Sequence, residues 1–576
     1  MSDRKIGVYI CHCGGNISDY VDVEKVRKAV EGEAGVVVAK TAMFTCSDAT
    51  QQEMVDDIRE NNLDGLVVAS CSPKLHLYTF REVAKRAGIN PYQYTQVNIR
   101  EQCSWTHTDD HGGATDKAAR LIRAGIAKTR LLQPLNPVKI DTVQRVLVVG
   151  AGITGLRAAL GLADIGISVY LVEKEKSVGG RVAGLGSMFP HGKSGKELIN
   201  QLAQQVRQKE NIAVFTGAEL VEKSGSMGNF SVRIRVGGHE DIIVNVGSII
   251  TATGFDSYPP AGGEYGYGAE GVVTLPEYRE LLDSSGGPPV YNGREIRDVV
   301  YVYCVGSRQG HGLEKPNLYC SRYCCSAAVH SALLAREKNP RIRQYHLFRD
   351  MRTYGKYDLL YNKAASEGTV FLKFDGDAPP SVENTGGGRM KVTVRDLLTY
   401  GEEIEIGADL VVLVTGMIPK KDSQINDVLK LPLGKDGFFN EIHPKLRPVE
   451  TVVDGVFICG ACQGPKNSSE SVASALAAVT QSASLLKKGF VELDPLMAEV
   501  DRDTCRWCGA CEGACPYGAI GKDSGRGEEV AVVNEALCKG CGGCVPVCPQ
   551  ASLNLRGYTD AQVKSMIDAL LKENVS

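Results

Sequence analysis

Short runs of apolar, mostly β-branched residues recur along this chain and alternate with longer amphipathic segments. Near the beginning, KIGVYI, GVVVAK and LDGLVVAS are such runs, and VDVEKVRKAVEG and DATQQEMVDDIRENN between them have helical spacing. Farther along, RVLVV, SVYLVE, SIITATG, RDVVYVYC and GVFICG are continuous apolar runs, which is typical of strands buried on both faces of a parallel sheet. The pattern predicts an α/β protein.

A strand, a glycine turn, a helix and a second strand follow one another between Arg145 and Glu173. Gly150, Gly152 and Gly155 form G-x-G-x-x-G, where missing Cβ atoms let the backbone and a helix N-terminus approach a pyrophosphate. Glu173 ends the second strand at the offset of the acid that hydrogen-bonds a ribose hydroxyl. This order predicts a dinucleotide site, which we assign to FAD. The other residues predicted to line it are Lys174, Gly180 and Arg181 after this unit, and Gly254 and Gly460 at two later strand ends.

Two apolar strands that end at Gly254 and Gly460 indicate that the flavin domain is interrupted and resumes near residue 450. A chain of 576 residues is also too long for a single core. The predicted division is an N-terminal α/β domain over 1–135, the flavin domain over 141–260 and 451–490, an inserted nucleotide-type domain over 261–450, and a tail domain over 491–576.

The charge is nearly balanced, with 65 basic and 68 acidic residues and a net charge of −3. Such a balance does not indicate a nucleic-acid surface, so proteins and small molecules are the expected partners. The sequence shows neither a signal-type apolar region nor a run of membrane-spanning length, and we expect a cytoplasmic protein. Nineteen cysteines in that compartment favour metal or redox chemistry over structural disulfides.

Five cysteines follow strand ends in the N-terminal domain. Cys11 and Cys13 follow the first strand, Cys46 the second and Cys71 the third, and Cys103 lies in NIREQCSWTH. Because the carboxyl ends of parallel strands share one edge of a sheet, these thiols are expected to converge on an iron-sulfur site. The predicted ligands are Cys13, Cys46, Cys71 and Cys103, with the choice between Cys11 and Cys13 left open. The alternative is a set of buried free thiols, since the spacing matches no ferredoxin pattern.

The inserted domain opens with RDVVYVYCVGSR, a strand that should begin a nucleotide fold, yet Gly306 lacks the other glycines of the motif. Four cysteines lie at this strand end and at the start of the next helix: Cys304, Cys320, Cys324 and Cys325. Four thiolates beside a positive helix end predict a [4Fe-4S] site. Such a cluster would occupy the turn that cradles pyrophosphate, so we expect electron relay in place of pyridine nucleotide binding.

The tail repeats C-x2-C-x2-C-x3-C-P twice. In ferredoxins with this duplicated pattern, the fourth cysteine of each run ligates the other cluster. The predicted ligand sets are Cys505, Cys508, Cys511 and Cys548 for one [4Fe-4S] cluster, and Cys538, Cys541, Cys544 and Cys515 for the second. Zinc is the alternative for any single C-x2-C, but the doubled pattern favours iron-sulfur clusters.

Two cysteines remain, Cys459 and Cys462, which form C-G-A-C beside the expected flavin. A dithiol there could exchange with a disulfide substrate. The alternative, which we favour, is that both side chains pack against the cofactor-binding strand.

Together these motifs resemble the A subunit of heterodisulfide reductase, which is a flavin and iron-sulfur protein of methanogens and many anaerobic bacteria. The resemblance spans nearly the whole chain. It rests on CHCGGNI at 11–17, CSP at 71–73, NIREQCSW at 98–105, GAGITG at 150–155, GGR at 179–181, YCSRYCC at 319–325, GACQGPK at 460–466 and the doubled tail.

The resemblance implies a thioredoxin-reductase-like core with two dinucleotide-type domains and one FAD, flanked by the N-terminal cysteine domain and a ferredoxin-like tail with two [4Fe-4S] clusters. It also implies a cluster at Cys304, Cys320, Cys324 and Cys325. Lys466 matches a family lysine near the isoalloxazine, where a cation stabilises the anionic reduced flavin and acts as the catalytic group; a surface lysine is the alternative.

The resemblance further implies an electron-transfer subunit that splits electron pairs at FAD, with flavin-based electron bifurcation as the specific hypothesis. Expected partners are heterodisulfide reductase B- and C-like, hydrogenase-type or ferredoxin-linked subunits, and ferredoxin itself, in a hetero-oligomer such as a dimer of complexes. The chain departs from methanogen members in one respect, because residues 182–303 contain no cysteine of an inserted ferredoxin module. The chain also lacks the cysteine repeats of the subunit that handles the heterodisulfide. Similar shortened subunits occur in assemblies of the benzoyl-CoA reductase type.

Overall fold

The structure is a computed structural model, and it describes residues 4–190, 192–237, 240–310, 313–421, 423–523 and 529–571. The chain forms two compact units, one made of residues 1–139 and 492–576 and the other of residues 140–491. Among the residues described, no helix is both long and apolar enough to cross a membrane.

The N-terminal part of the first unit is a four-stranded parallel sheet covered by helices. Successive residues alternate between its faces, since Val8 and Ile10 belong to one apolar core and Tyr9 to another. The strands lie in the order Val36–Ala42, Ile6–Cys11, Gly65–Ser70 and Tyr94–Asn98. The helices are Val23–Glu31, Asp48–Glu60, Pro73–Ala87 and His111–Arg130.

The tail of the first unit is built from short antiparallel strand pairs and a terminal helix. Ala498–Val500 pairs with Leu553–Leu555, and Ile520–Asp523 pairs with Val530–Val533. The helix Asp560–Leu571 packs on His111–Arg130.

Two side-chain contacts lie at this packing. Nε2 of Gln562 donates a hydrogen bond to the carbonyl oxygen of Leu131 at 3.0 Å. The ammonium group of Lys128 lies 3.2 Å from the ring centroid of Tyr558.

The second unit contains two five-stranded parallel sheets. The first has the order Ile212–Thr216, Ser168–Glu173, Arg145–Val149, Ser248–Thr251 and Val456–Ile458, with helices Ile153–Asp164, Gly195–Arg207 and Ser468–Leu486. The second has the order Val272–Thr274, Leu410–Thr415, Asp298–Val305, Arg343–Phe348 and Val370–Lys373, with helices Leu275–Ser284, Cys324–Lys338 and Asp358–Ser366.

Each parallel sheet is accompanied by a three-stranded antiparallel sheet. The two are Ala218–Ser226, Asn229–Val236 and Ile242–Val246, and Ser381–Gly386, Arg389–Asp396 and Glu402–Ala408. The predicted fold class, an α/β flavoprotein core with two dinucleotide-type domains, is confirmed. The strand Val456–Ile458 joins the first parallel sheet although about two hundred residues separate it in sequence from its neighbour Ser248–Thr251.

Candidate flavin and iron-sulfur sites

The glycine turn after Arg145–Val149 is closed on one side and open on the other. A Cβ atom at Gly150 would lie 2.5 Å from the carbonyl oxygen of Ala252, and one at Gly155 would overlap the carbonyl oxygen of Gly150. At Gly152, by contrast, no described atom lies within 4 Å of the Cβ position. Since the helix Ile153–Asp164 begins there, the open side presents backbone N–H groups to a pyrophosphate.

Glu173 is buried at the end of the neighbouring strand and is held by backbone donors. The amides of Ala151 and Glu175 donate to its two carboxylate oxygens at 2.7 and 3.0 Å. These contacts orient the carboxylate beside the glycine turn and leave lone pairs on both oxygens. Lys174, which follows it, is exposed.

The GGR segment lies against the glycine turn. The amide of Gly179 donates to the carbonyl of Ala151 at 2.7 Å, and a Cβ atom at Gly180 would lie 3.2 Å from Cα of Gly152. Arg181 is exposed and forms an ion pair with Asp256 at 3.1 Å. The segment therefore adds a second wall of backbone to the open side of the turn.

The returning strand brings Gly460 and Lys466 to the first parallel sheet. A Cβ atom at Gly460 would lie 2.6 Å from Oγ1 of Thr154 on the helix that follows the glycine turn. Lys466 directly precedes Asn467, the cap of the helix Ser468–Leu486, and its Nζ donates to Oε1 of Gln463 at 3.1 Å. Burial lowers the pKa of Lys466, an effect opposed by Cys462 and Glu441. Gly254 has φ +80° with open space around its Cβ position.

Cys459 and Cys462 are both buried, and neither forms a disulfide. The thiol of Cys462 donates to the carbonyl oxygens of Cys459 and Thr251 at 3.1 and 3.4 Å. Burial raises the pKa of both thiols, and that of Cys459 by a large amount. Buried protonated thiols are poor nucleophiles, so this geometry favours a packing role.

A cavity in the tail is lined by four cysteines of the two C-x2-C-x2-C-x3-C runs. They are Cys505, Cys508, Cys511 and Cys548. This is the set predicted for one cluster, with the fourth cysteine supplied by the second run. Backbone amides of Ala531 and Ser552 donate to Sγ of Cys505 and Cys548 at 3.4 and 3.3 Å.

The complementary set is Cys538, Cys541, Cys544 and Cys515. The amides of Ala498 and Ala519 donate to Sγ of Cys538 and Cys515 at 3.5 and 3.3 Å. Burial raises the pKa of Cys544 to about 11, and Cys538 and Cys541 contribute to this rise. Amide donors aimed at sulfur are typical of thiolates that ligate iron, whose reduction potential such hydrogen bonds tune.

In the inserted domain the end of the strand Asp298–Val305, the loop after it and the start of the helix Cys324–Lys338 bring four thiols together: Cys304, Cys320, Cys324 and Cys325. Cys304 has φ +64°, a strained conformation for a residue other than glycine. Its pKa is raised to about 11 by burial and by Cys325, with a smaller contribution from Cys320. A hydrogen bond from Cys324 lowers the pKa of Cys325, with help from Arg352 and Arg308.

In the N-terminal domain Cys11, Cys13, Cys46 and Cys71 form one electrostatic group. Cys11 and Cys13 raise the pKa of Cys46, whose largest shift comes from burial. The pKa of Cys71 is raised to about 11 by burial, and Arg100 opposes this while Cys13 and Cys11 add to it. Cys13, like Cys304, has a left-handed backbone, with φ +56°.

The pKa of Cys103 is shifted by different groups from those that act on Cys46 and Cys71. Its side chain is fully buried in the apolar core, and its pKa is raised to about 11 by burial, an effect opposed by Lys117. The structure thus groups three of the four predicted ligands, Cys13, Cys46 and Cys71, with Cys11. The assignment of Cys103 as a ligand remains a prediction.

These thiol groups fit [4Fe-4S] clusters. Several buried thiols side by side resist deprotonation, because burial and neighbouring thiolates both oppose it, and bound iron supplies the positive charge that removes this penalty. No three His, Cys, Asp or Glu residues in the described part of the chain converge on a single ion. In a [4Fe-4S] cluster each iron takes its own thiolate, so such convergence is not needed.

Arginines beside the thiols were not indicated by the cysteine motifs. Nη1 of Arg100 donates to Sγ of Cys13 at 3.4 Å, and Arg308 and Arg349 lower the pKa of Cys304. In the sequence Arg308 belongs to CVGSR and Arg349 follows RQYHLF, but only the fold brings the end of that segment beside Cys304.

Comparisons with known proteins match the flavin turn and the tail. A family model of FAD dependent oxidoreductases matches residues 145–227, and one of 4Fe-4S dicluster domains matches residues 504–552. The second iron-sulfur A subunit of the CoB–CoM heterodisulfide reductase of Methanopyrus kandleri is 37% identical, covering 90% of this chain and 91% of its own length. The A subunit of the H(2):CoB-CoM heterodisulfide,ferredoxin reductase of Methanothermobacter thermautotrophicus is 35% identical over 100% of this chain and 98% of its own.

Solved structures of thioredoxin reductases also resemble part of the chain. That of T. acidophilum has a TM-score of 0.40 at 18% identity and covers 60% of this chain and 99% of its own. That of Lactococcus lactis has a TM-score of 0.42 at 16% identity with the same coverage.

The flavin-type glycine turn, the dicluster tail and relatives above one-third identity over nearly the full length lead to one conclusion. The chain belongs to the family of heterodisulfide reductase A subunits, as an oxidoreductase subunit that contains FAD and [4Fe-4S] clusters.

Proposed function

We propose that this chain splits electron pairs into single electrons within a multi-subunit anaerobic oxidoreductase. The observation that carries the proposal is the cavity lined by Cys505, Cys508, Cys511 and Cys548 in a chain that also has a flavin-type glycine turn. FAD exchanges electrons in pairs or singly, whereas each [4Fe-4S] cluster passes one electron at a time. Several one-electron sites with a single two-electron site suit a relay.

The residues proposed to hold FAD are those that wall the open side of the glycine turn, together with the returning strand. Gly152 and Gly180 leave room for the pyrophosphate, and Glu173 meets a ribose hydroxyl. Lys466, half-buried at a helix N-terminus, supplies positive charge where negative charge develops on reduction. Burial lowers the pKa of Lys466, and negative charge beside it would raise that pKa and favour the protonated form.

The proposed cluster content is two clusters in the tail, one in the inserted domain and one in the N-terminal domain. The tail clusters are bound by the two crossed sets described above. The inserted cluster is bound by Cys304, Cys320, Cys324 and Cys325, and the N-terminal one by Cys46, Cys71, Cys103 and either Cys13 or Cys11. Partner subunits then receive the single electrons.

Electron bifurcation is the specific form of this proposal. The name of one relative includes both a heterodisulfide and ferredoxin as acceptors, which are two different destinations for electrons. We propose that this chain feeds two such branches, in a heterodisulfide reductase-like or benzoyl-CoA reductase-type assembly. The partners proposed are heterodisulfide reductase B- and C-like, hydrogenase-type or ferredoxin-linked subunits.

A stepwise reductive titration of the oxygen-free protein, followed by electron paramagnetic resonance, tests bifurcation. Strongly crossed one-electron potentials leave little flavin radical at any point of the titration. Cluster signals are expected to develop while the radical stays below detection. A stable radical that accumulates at the midpoint would contradict bifurcation and leave a simple relay.

The second candidate is a self-sufficient FAD disulfide oxidoreductase that uses Cys459 and Cys462. The dithiol lies in the turn directly after the returning strand Val456–Ile458 of the flavin domain, which is the observation in its favour. Its burial and the raised pKa of both thiols argue against exchange with a substrate. Cys459→Ser decides the matter: turnover with a dithiol should be unchanged under our proposal and abolished, with flavin reduction intact, under the alternative.

A further inference from the structure

A cavity of about 180 Å³ lies in the inserted domain. It is at the carboxyl ends of three neighbouring parallel strands, Asp298–Val305, Arg343–Phe348 and Val370–Lys373. Its lining includes Gly306 and Arg308 after the first strand, Arg349 after the second and Gly376 after the third. In open α/β sheets ligands bind in the crevice outside these strand ends.

The lining is positively charged. Nη2 of Arg308 pairs with Asp350 at 2.6 Å, whereas its Nη1 is buried and has no hydrogen-bond partner among the described residues. A buried guanidinium N–H without an acceptor is costly, and a ligand oxygen would remove that cost. Arg349 also lines the cavity and donates to the carbonyl of Arg308.

The one carboxylate among the described residues that line the cavity is engaged through one of its two oxygens, Oε2. Glu264 accepts hydrogen bonds from the hydroxyl of Tyr258 at 3.1 Å and from the amide of Ala261 at 3.0 Å. Two arginines therefore face one engaged carboxylate, which favours an anionic ligand.

The position of Arg349 narrows the class of anion. In dinucleotide folds the residue after the second strand recognises the ribose, by an acid for a hydroxyl or an arginine for a phosphate. Here Asp350 is paired with Arg308, so the arginine is the group available. At Gly376 a Cβ atom would overlap the guanidinium of Arg349, so the glycine keeps this arginine in place.

A whole dinucleotide does not suit this domain. The helix after the first strand, whose N-terminus would meet a pyrophosphate, begins with Cys324 and Cys325, which belong to the thiol group. The cavity is also smaller than the pockets that enclose drug-sized ligands. What remains is room for a sugar phosphate.

We propose that this cavity binds the phosphoribosyl portion of a small organic phosphate such as an adenine mononucleotide, with the phosphate on Arg308 and Arg349. The site retains the ribose half of a nucleotide fold whose pyrophosphate half holds cysteines. It lies against Cys304, which lines the same cavity.

The test is equilibrium dialysis of the oxygen-free full chain against adenosine 2′-monophosphate, whose phosphate is on the ribose as the position of Arg349 requires, and against adenosine, inorganic phosphate and NAD⁺. We expect saturable binding of the mononucleotide, competition by inorganic phosphate, and weaker binding of adenosine. Arg349→Gln should weaken mononucleotide binding by about tenfold or more, because a charge-assisted contact is lost. Arg341→Gln, an exposed arginine before the same strand, is the matched control and should bind normally.

A second variant guards against loss of structure. Gly376→Ala should displace Arg349 and weaken mononucleotide binding similarly, while iron and flavin contents measured on each variant report an intact chain. Equal binding by adenosine and its monophosphate, or unchanged binding by both variants with normal iron content, would overturn the proposal. NAD⁺ binding more tightly than the mononucleotide would also overturn it, since that result requires a complete dinucleotide site.

Discussion

At the scale of single residues, the positive charge beside the thiols is a feature with measurable consequences. The guanidinium of Arg100 contacts Sγ of Cys13 and pairs with Glu101 at 2.8 Å, and it lies 4.7 Å from the ring centroid of Trp105. Its Nε is buried with no hydrogen-bond partner in the described part of the chain. A fixed cation here favours the more negative, reduced form of a bound cluster.

Arg100→Gln should therefore lower the midpoint potential of the N-terminal cluster by roughly 30–60 mV, because a tenfold change in a one-electron equilibrium corresponds to about 59 mV. Potentiometric titration with magnetic resonance detection measures it. Arg59→Gln, at the far end of the helix that follows Cys46, is the control and should leave all potentials unchanged. Equal potentials in the Arg100 variant and the parent chain would show that this cation does not act on a cluster.

Substitutions at Gly152 and Gly155 are expected to affect different properties, FAD binding at the first and stability of the fold at the second. Gly152→Ala meets no atom of the described residues within 4 Å other than its chain neighbours, so the apo chain should keep its melting temperature while FAD affinity falls about tenfold or more. Gly155→Ala would overlap the carbonyl of Gly150, so it should destabilise the fold by roughly 1–3 kcal/mol. Melting curves of the flavin-free proteins and flavin titrations check both. A Gly152→Ala variant that binds FAD normally would argue against pyrophosphate at this turn.

At the scale of elements, the contact between the terminal helix Asp560–Leu571 and His111–Arg130 is expected to depend on pH. Burial lowers the pKa of Lys128 at this contact to about 7. A lysine whose folded-state pKa lies below its unfolded value near 10.5 binds more protons in the unfolded chain between these values. Stability of the contact should thus rise with pH between about 7 and 10.5, and the penalty is fully present below about 7.

Hydrogen exchange of the terminal helix, corrected for intrinsic rates, measures this dependence. Protection should increase from pH 7 to 9 in the parent chain, whereas Lys128→Met should show higher protection at pH 7 and a flat profile. At and below pH 7 the variant should stabilise the contact between the two helices by on the order of 2 kcal/mol. The cost of burying a protonated lysine is removed, and this outweighs the lost contact with Tyr558. Lys564→Met, an exposed position on the same helix, should retain the parent profile. A flat parent profile would refute the assignment.

The apolar pattern was sufficient to predict the parallel sheets. Their strands are buried on both faces and therefore have continuous apolar sequences, as in Arg145–Val149. The apolar pattern could not predict the contact between Gln562 and Leu131, which are separated by 431 residues. This contact is a hydrogen bond from a side-chain amide to a backbone carbonyl, and such a bond leaves no periodic signal in the sequence. The same limit applies to Arg349, since only the sheet order brings the second strand end beside Cys304.

At the scale of the whole molecule, the cysteine groups make the ratio of iron to flavin the most informative number. At four irons per cluster, the tail predicts about eight irons per FAD, the inserted site raises this to about twelve, and the N-terminal site to about sixteen. We expect about sixteen in protein purified without oxygen. Cys548→Ser should lower it by about four, because this residue lines the cavity with Cys505, Cys508 and Cys511.

The variants also distinguish crossed from uncrossed ligation in the tail. If each run held its own cluster, Cys548→Ser would disturb the signal of the second run; under crossed ligation it removes the signal that Cys508→Ser also removes. Cys459→Ser, which alters a buried thiol outside all the proposed sets, should keep the full iron content. A parent ratio near eight would restrict the clusters to the tail, make the thiols around Cys71 and Cys304 free cysteines, and return the disulfide oxidoreductase to consideration, because a relay then lacks its other one-electron sites.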